Sequence, residues 1–348
     1  MKTSLKRCLY LAICIGILYA CNKDKTVRPA VEKIQFVVPA NFPAAVYKFE
    51  GNLLTNEGFD LGKKLFYDSR LSADKSISCG SCHQQFAAFT QLDHRVSHGV
   101  NNCLGKRNSP VLFNLAWQKE FFWDGGAKNL EIVPLNAITD SCEMGTDLPT
   151  IIRFLNQTSP YPQLFKNAFG DPVVNSQHFL RALSQFMAVL VSATSKYDKV
   201  MRNPVQNAFT SEELQGYLLF KEKCNACHTE PLFTDGTYRS NGLDLISADL
   251  GRYIITGLAA DKGRFKVPTL RNIELSAPYM HDGRFNTLEE VLTHYNSGVK
   301  RAENLDALFL QNRHPGISLS ASQKQQLITF LKTLTDHEFI SNKLFSEA

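Results

Sequence analysis

Two short stretches tie the folding of this chain to something that is not protein. "SCGSCHQ" carries Cys79, Cys82 and His83, and "KCNACHT" carries Cys224, Cys227 and His228, 145 residues further on. Two cysteines three apart can form thioethers with the two vinyl groups along one porphyrin edge, and the adjacent histidine is then delivered to the iron. Zinc needs four ligands, and no Cys/His pair follows either motif at finger spacing. A dithiol redox pair wants a βαβ context that the flanks lack. The two copies are embedded in a longer repeat. "GKKLFY" (62–67) and "GYLLFKEK" (216–223) precede them, and Phe89-Thr90 and Phe233-Thr234 follow them. The first copy carries an insertion, "DSRLSADKSIS", between helix and cysteines. The repetition implies two homologous modules with one covalently bound haem c each.

Cysteine chemistry depends on compartment. Residues 1–21 start with Lys2, Lys6 and Arg7, continue as an apolar run from Leu9 to Ala20 and end at Cys21. This reads as a secretory signal segment, too short for a spanning helix. Its last four residues, "LYAC", resemble a lipoprotein cleavage box that would leave Cys21 as a lipid-bearing first residue, tying an extracytoplasmic chain to a membrane. Cys103 and Cys142 then remain in an oxidising compartment, where disulfide and free thiols are both open readings. Removing 21 of 348 residues leaves 327, enough for two cored domains. The net charge of +5 falls to about +2 without Lys2, Lys6 and Arg7, which gives no footprint for nucleic acid.

The expected fold is mainly α, with two cytochrome c-like domains at 22–195 and 196–348. Thr210/Glu213, Thr287/Glu290 and Ser320/Gln323 form capping boxes that open helices, and Gly298 closes the second of these. A further helix is expected over 177–192. The polar stretch 196–210, with Pro204, reads as the junction between domains.

From "LGKKLFYDSRLSADKSISCGSCH" through "GKRNSPVLFNLAW", "FFWDGGAKNLE" and "EMG" to "VPTLRNIELSAPYMHDGRFNTLEEVL", the chain resembles bacterial di-haem cytochrome c peroxidases and their MauG-type relatives. The resemblance implies that peroxide is handled at the N-terminal haem and that electrons enter through the C-terminal one, from a small donor such as a cytochrome c. It makes His83 and His228 proximal ligands and Glu143 the distal carboxylate that moves a proton during O–O cleavage. Trp123 becomes an inter-haem aromatic. Asn108 and the carbonyls of Ser276 and Pro278 become calcium ligands. The axial position of the C-terminal haem falls on Tyr295, as in MauG-type proteins, where the peroxidases have methionine; Met280 is a rival. His98 or His94 is a candidate sixth ligand at the N-terminal iron, with an open iron as the favoured state. Four positions depart from the family pattern: Val133 stands where a glutamine is usual, Ala137 where a proline is usual, Ser276 where a threonine is usual, and Glu222 where MauG has a tryptophan. The implied activity is reduction of hydrogen peroxide. The alternatives are a MauG-like peroxide-dependent oxidation of a protein or small molecule, and a non-catalytic di-haem carrier.

Overall fold

The computed structural model describes residues 33–311 and 313–347, so the signal segment and Cys21 lie outside the described residues. Helix α1 (Asn56–Tyr67) starts where the Thr55 hydroxyl accepts the Gly58 N–H at 3.0 Å, and it buries Phe59, Leu61, Leu65 and Phe66. This face packs on α2 (Ser176–Val189), the helix expected over 177–192. The helices meet at Gly62, where a Cβ would run into the Ala182 carbonyl and come within 3.1 Å of Phe186 Cβ. The same device recurs in the second half. Helix α3 (Ser211–Lys223), opened by the expected Thr210/Glu213 box, packs on α4 (Ala321–Lys332), opened by Ser320/Gln323. There Gly216 faces the Gln326 carbonyl, and a Cβ would lie 2.8 Å from Phe330 Cβ. Any side chain at either glycine would part a helix pair, at about 1–3 kcal/mol. Strand is confined, among the described residues, to one two-stranded antiparallel ribbon, β1 (Tyr238–Arg239) with β2 (Phe265–Lys266).

The repeat reaches further than the sequence suggested. Residues 158 apart play matching parts: Pro110 and Pro268, Asn114 and Asn272, Phe121 and Tyr279, Ala137 and Tyr295. Asn114 and Asn272 are both left-handed (φ 54° and 56°), as are Phe122 and Met280 (φ 67° and 75°). Phe121 bridges Ala127 as Tyr279 bridges Phe285. The Thr90 hydroxyl donates to the Ser109 carbonyl and the Thr234 hydroxyl to the Val267 carbonyl, both at 2.5 Å. Each half also reaches into the other, since the Asn108 N–H donates to the His281 carbonyl (2.8 Å) and the Lys266 N–H to the Trp123 carbonyl (2.7 Å).

Two regions differ from expectation. The stretch read as a polar junction opens with a helix, Lys196–Arg202, under a Ser195/Asp198 capping box. Its Asp198 is fully buried because Arg271, equally buried, takes both carboxylate oxygens at 2.8 Å. A lone carboxylate marks a surface segment in sequence, and only its distant partner makes burial affordable. The C-terminal tail also returns to the first half: Phe339 packs on Phe89 and Phe113, and the Tyr67 hydroxyl donates to the Phe345 carbonyl at 2.8 Å.

Candidate active site

The first motif is a single helical turn, Cys79–Cys82, under a Ser78/Ser81 capping box. His83 leaves it with Nδ1 3.0 Å from the Phe89 carbonyl. His228 repeats this, with Nδ1 3.1 Å from the Pro268 carbonyl and 3.3 Å from that of Phe233. A carbonyl can only accept, so each Nδ1 carries the proton and each Nε2 keeps a free lone pair. Left-handed Phe89 and Phe233 (φ 58° and 55°) turn the chain sharply beyond each histidine. Burial pushes the His83 imidazole down to about 4 and lowers that of His228, so both are neutral, as iron ligation requires. Burial likewise pushes the Cys79 and Cys224 thiols up to about 12. All six residues line one continuous cavity of about 1870 Å³, well beyond the roughly 300–1,000 Å³ of an ordinary ligand pocket. Paired thiols, oriented neutral imidazoles and this volume fit two haem c groups.

Around the first motif the wall is built by the segment 133–144. Val133, Asn136, Ala137, Asp140, Cys142, Glu143 and Ser97 all face the cavity with Cys79 and Cys82. Burial, and then the Asp140 charge, hold the Glu143 carboxyl above its ordinary range. Its backbone is tightly fixed. The Glu143 N–H donates to the Asp140 carbonyl (3.0 Å), the Glu143 carbonyl accepts from Val100 (2.8 Å), and left-handed Gly145 (φ 62°) closes the turn. Cys103 and Cys142 form a disulfide (Cα–Cα 4.8 Å) that joins this turn to the 97–104 loop. His94 and His98 are absent from the cavity wall. Their rings lie 4.8 Å apart, and His98 Nδ1 sits 2.6 Å from Asn102 Oδ1. Asn136 was missed in the sequence; it follows Val133 by three residues, the spacing that places two residues on one helix face, and so offers an amide near the site of the missing glutamine.

Around the second motif, helix Leu288–Thr293 passes into one π-turn, His294–Gly298, which carries Tyr295. Such turns cluster at functional sites. The Tyr295 ring stacks on Phe309 (5.7 Å, 11°) and lines the cavity. Burial raises its phenol pKa, a hydrogen bond from Asn241 opposes this, and the nearby Cys227 and Cys224 add to the rise. Met280 lines the same cavity, with its sulfur 3.4 Å from Asn241 Nδ2. In the register of the repeat Tyr295 answers to Ala137. A phenol can ligate iron and a methyl cannot.

Between the motifs, the Trp123 indole faces the cavity and donates Nε1–H to the Asn108 carbonyl at 2.8 Å. Asn108, Ser276 and Pro278 share that wall. No group of three or more His, Cys, Asp or Glu converges among the described residues, so a cation there would rest on neutral oxygens and water.

Residues 56–206 match the family described as di-haem cytochrome c peroxidase. MauG of Methylorubrum extorquens is 35% identical over 84% of this chain and 82% of its own length. The chain belongs to the di-haem cytochrome c peroxidase/MauG family. Cytochrome c551 peroxidase of Nitrosomonas europaea is 32% identical over 93% of this chain and 90% of its own. A solved MauG-like protein associated with microbial copper homeostasis superposes with a TM-score of 0.82 at 30% identity, over 90% of this chain and 99% of that one. Membership makes the chain an oxidoreductase acting on peroxide, with haem c as cofactor. No helix among the described residues is long and apolar enough to cross a membrane.

Proposed function

We propose that this di-haem peroxidase reduces hydrogen peroxide beside Cys79, Cys82 and His83, using electrons that enter beside Cys224, Cys227 and His228. The overall change is H2O2 + 2 e⁻ + 2 H⁺ → 2 H2O. Bound haem supplies the redox chemistry of O–O cleavage, and the chain supplies ligands and proton handling. His83 and His228 would ligate the haem irons through Nε2, each imidazole oriented by the carbonyl at its Nδ1. Glu143 takes a proton from one peroxide oxygen and returns it to the other, a transfer worth about 10²–10⁴ in rate. The observation that carries this reading is the Glu143 carboxyl, raised by burial and aimed into the same cavity as the first motif. Trp123 bridges the two sites. Asn108 with the Ser276 and Pro278 carbonyls would hold calcium, a hard cation that takes neutral oxygens such as those of that wall. The domains are 22–195 and 196–348, and the chain works outside the cytoplasm, anchored through lipid on Cys21.

Tyr295 supports a second reading. An anionic oxygen ligand favours higher oxidation states than methionine does, which would suit MauG-like oxidation of another molecule. Adding one equivalent of hydrogen peroxide to the fully ferric and the half-reduced holoprotein separates the two. Repeated reaction of only the half-reduced form with a reduced cytochrome c is the peroxidase outcome. Direct reaction of the ferric form favours the oxidase, and silence in both overturns the proposal.

A further inference from the structure

Lys266 is a cation with no carboxylate of its own. It sits in β2, lines the shared cavity, and donates from Nζ to Gln118 Oε1 at 2.6 Å and to the Glu120 carbonyl at 2.8 Å. The charged groups facing it are Glu120 and Asp124. Both are engaged elsewhere. The Glu120 carboxylate accepts from Tyr238 (2.7 Å) and Arg252 (3.2 Å), with Lys128 3.8 Å away, and Asp124 accepts from Arg107 (2.5 Å). The ammonium is therefore capped by neutral oxygens. Burial draws its pKa down to about 8 even so.

The internal repeat gives this position a meaning. At the constant offset of 158 residues, Asn108 answers to Lys266, Ser276 to Gln118 and Pro278 to Glu120. The Asn108 set is the calcium set of the proposed function, and the Lys266 set is its image in the other half. The reciprocal backbone bonds to His281 and Trp123 carry the same correspondence. At one site a side-chain amide and two carbonyls present oxygen to a cation. At its image the equivalent of the amide is itself a cation, directed at oxygens of the two equivalent residues, the side-chain amide of Gln118 and the main-chain carbonyl of Glu120.

We propose that Lys266 is a built-in cation: its ammonium stands where the related site takes a free divalent ion, and it holds the 118–124 segment, with Trp123, without any metal. The claim rests on the calcium reading for its counterpart. Its physical content is that two structurally equivalent loops, 118–127 and 276–285, are pinned by different chemistries. The first is held by hydrogen bonds from an ammonium that is part of the chain, and the second depends on a dissociable ion. Lys266 is a positioning residue, acting on Trp123 through the segment it holds.

Amide hydrogen exchange read by mass spectrometry on the holoprotein tests this. A chelator should speed exchange in 276–285 and leave 118–124 at its original rate. Lys266→Met should do the reverse, speeding 118–124 on the order of tenfold to hundredfold, the local opening that two bonds from a charged donor hold down. Lys266→Asn, which copies the identity of Asn108, should slow 118–124 again in about 1 mM calcium, a concentration suited to weak extracellular sites, whereas Lys266→Met should not respond. Wild-type exchange rates in Lys266→Met, equal loosening of both loops by chelator, or identical calcium responses of the two variants would each overturn the proposal. Calcium content of the wild type, by atomic emission, tests the other reading separately. A wild type without calcium removes that reading and the parallel with it, and leaves Lys266→Met to decide only whether the ammonium pins the segment.

Discussion

Removing Arg271 alone should destabilise the protein more than removing it together with its partner. Its guanidinium takes both Asp198 oxygens at 2.8 Å, donates to the Pro231 carbonyl at 2.9 Å and lies 4.6 Å from the Phe42 ring centroid, and both charged side chains are fully buried. In Arg271→Met, Asp198 keeps Asn41 and Ser195 as donors at 2.7–3.1 Å but loses its countercharge. Breaking one side of a buried pair costs about 3–5 kcal/mol. At about 2.1 cal/mol/K of unfolding entropy per residue, for a unit spanning Gln35–Ala348, this corresponds to a drop in Tm of about 5–8 °C. Arg271→Met/Asp198→Asn removes both charges and should recover more than half of that. Burial pushes the Asp198 carboxyl up, but its bonds from Arg271 outweigh this and leave it below its ordinary value. The pair's contribution is therefore present above the ordinary carboxylate pKa of about 3.9 and lost as pH falls through the lower folded value. Melting curves of holoprotein by circular dichroism at pH 7 read the effect. A single variant within about 1 °C of wild type, or a double variant as unstable as the single, would refute the argument.

Glu143→Gln should slow the reaction with peroxide by about 10²–10⁴ at unchanged haem c content. It should also remove the acid limb of the pH–rate profile, because a carboxyl with a raised pKa stops accepting protons as pH falls through that value; an unchanged acid limb would exclude Glu143 as the base. Tyr295→Met should raise the potential of the C-terminal site, read by spectroelectrochemistry, and an unaltered potential and spectrum would remove Tyr295 as ligand. Cys103→Ser/Cys142→Ser opens a covalent loop with a sequence separation of 39 residues, and chain entropy sets the cost at about 4 kcal/mol. Denaturant titration checks this, with an unchanged midpoint as the contrary result.

The parts of the site that chemistry writes locally were legible in the sequence. Both CxxCH motifs and the three capping boxes depend on residues within four positions of each other, and the structure has them all. The 176–189 helix was equally plain, since its apolar face repeats with helical period. What stayed hidden is long-range. Asp198 reads as a surface residue until Arg271 arrives from 73 positions away, and Lys266 reads as an exposed lysine until Gln118 and Glu120 fold over it. Nor does the sequence say that Phe339 returns from the far end of the chain to pack beside Phe89, because a single short helix carries no record of which half it joins.

The pairing of Ala137 with Tyr295 suggests how such a chain could arise. If one haem-binding unit was copied and joined to itself, both descendants began with the same scaffold: a glycine-mediated helix contact, a carbonyl behind the histidine and a left-handed asparagine. They would have had the same reactivity too. Specialisation then drew on the insertion and the disulfide of the first half, and on divergence at single register positions. On the proposed reading, a methyl at one would leave a coordination place accessible to a small oxidant and a phenol at the other would fill it, turning a duplicated electron carrier into a reaction chamber wired to its own supply.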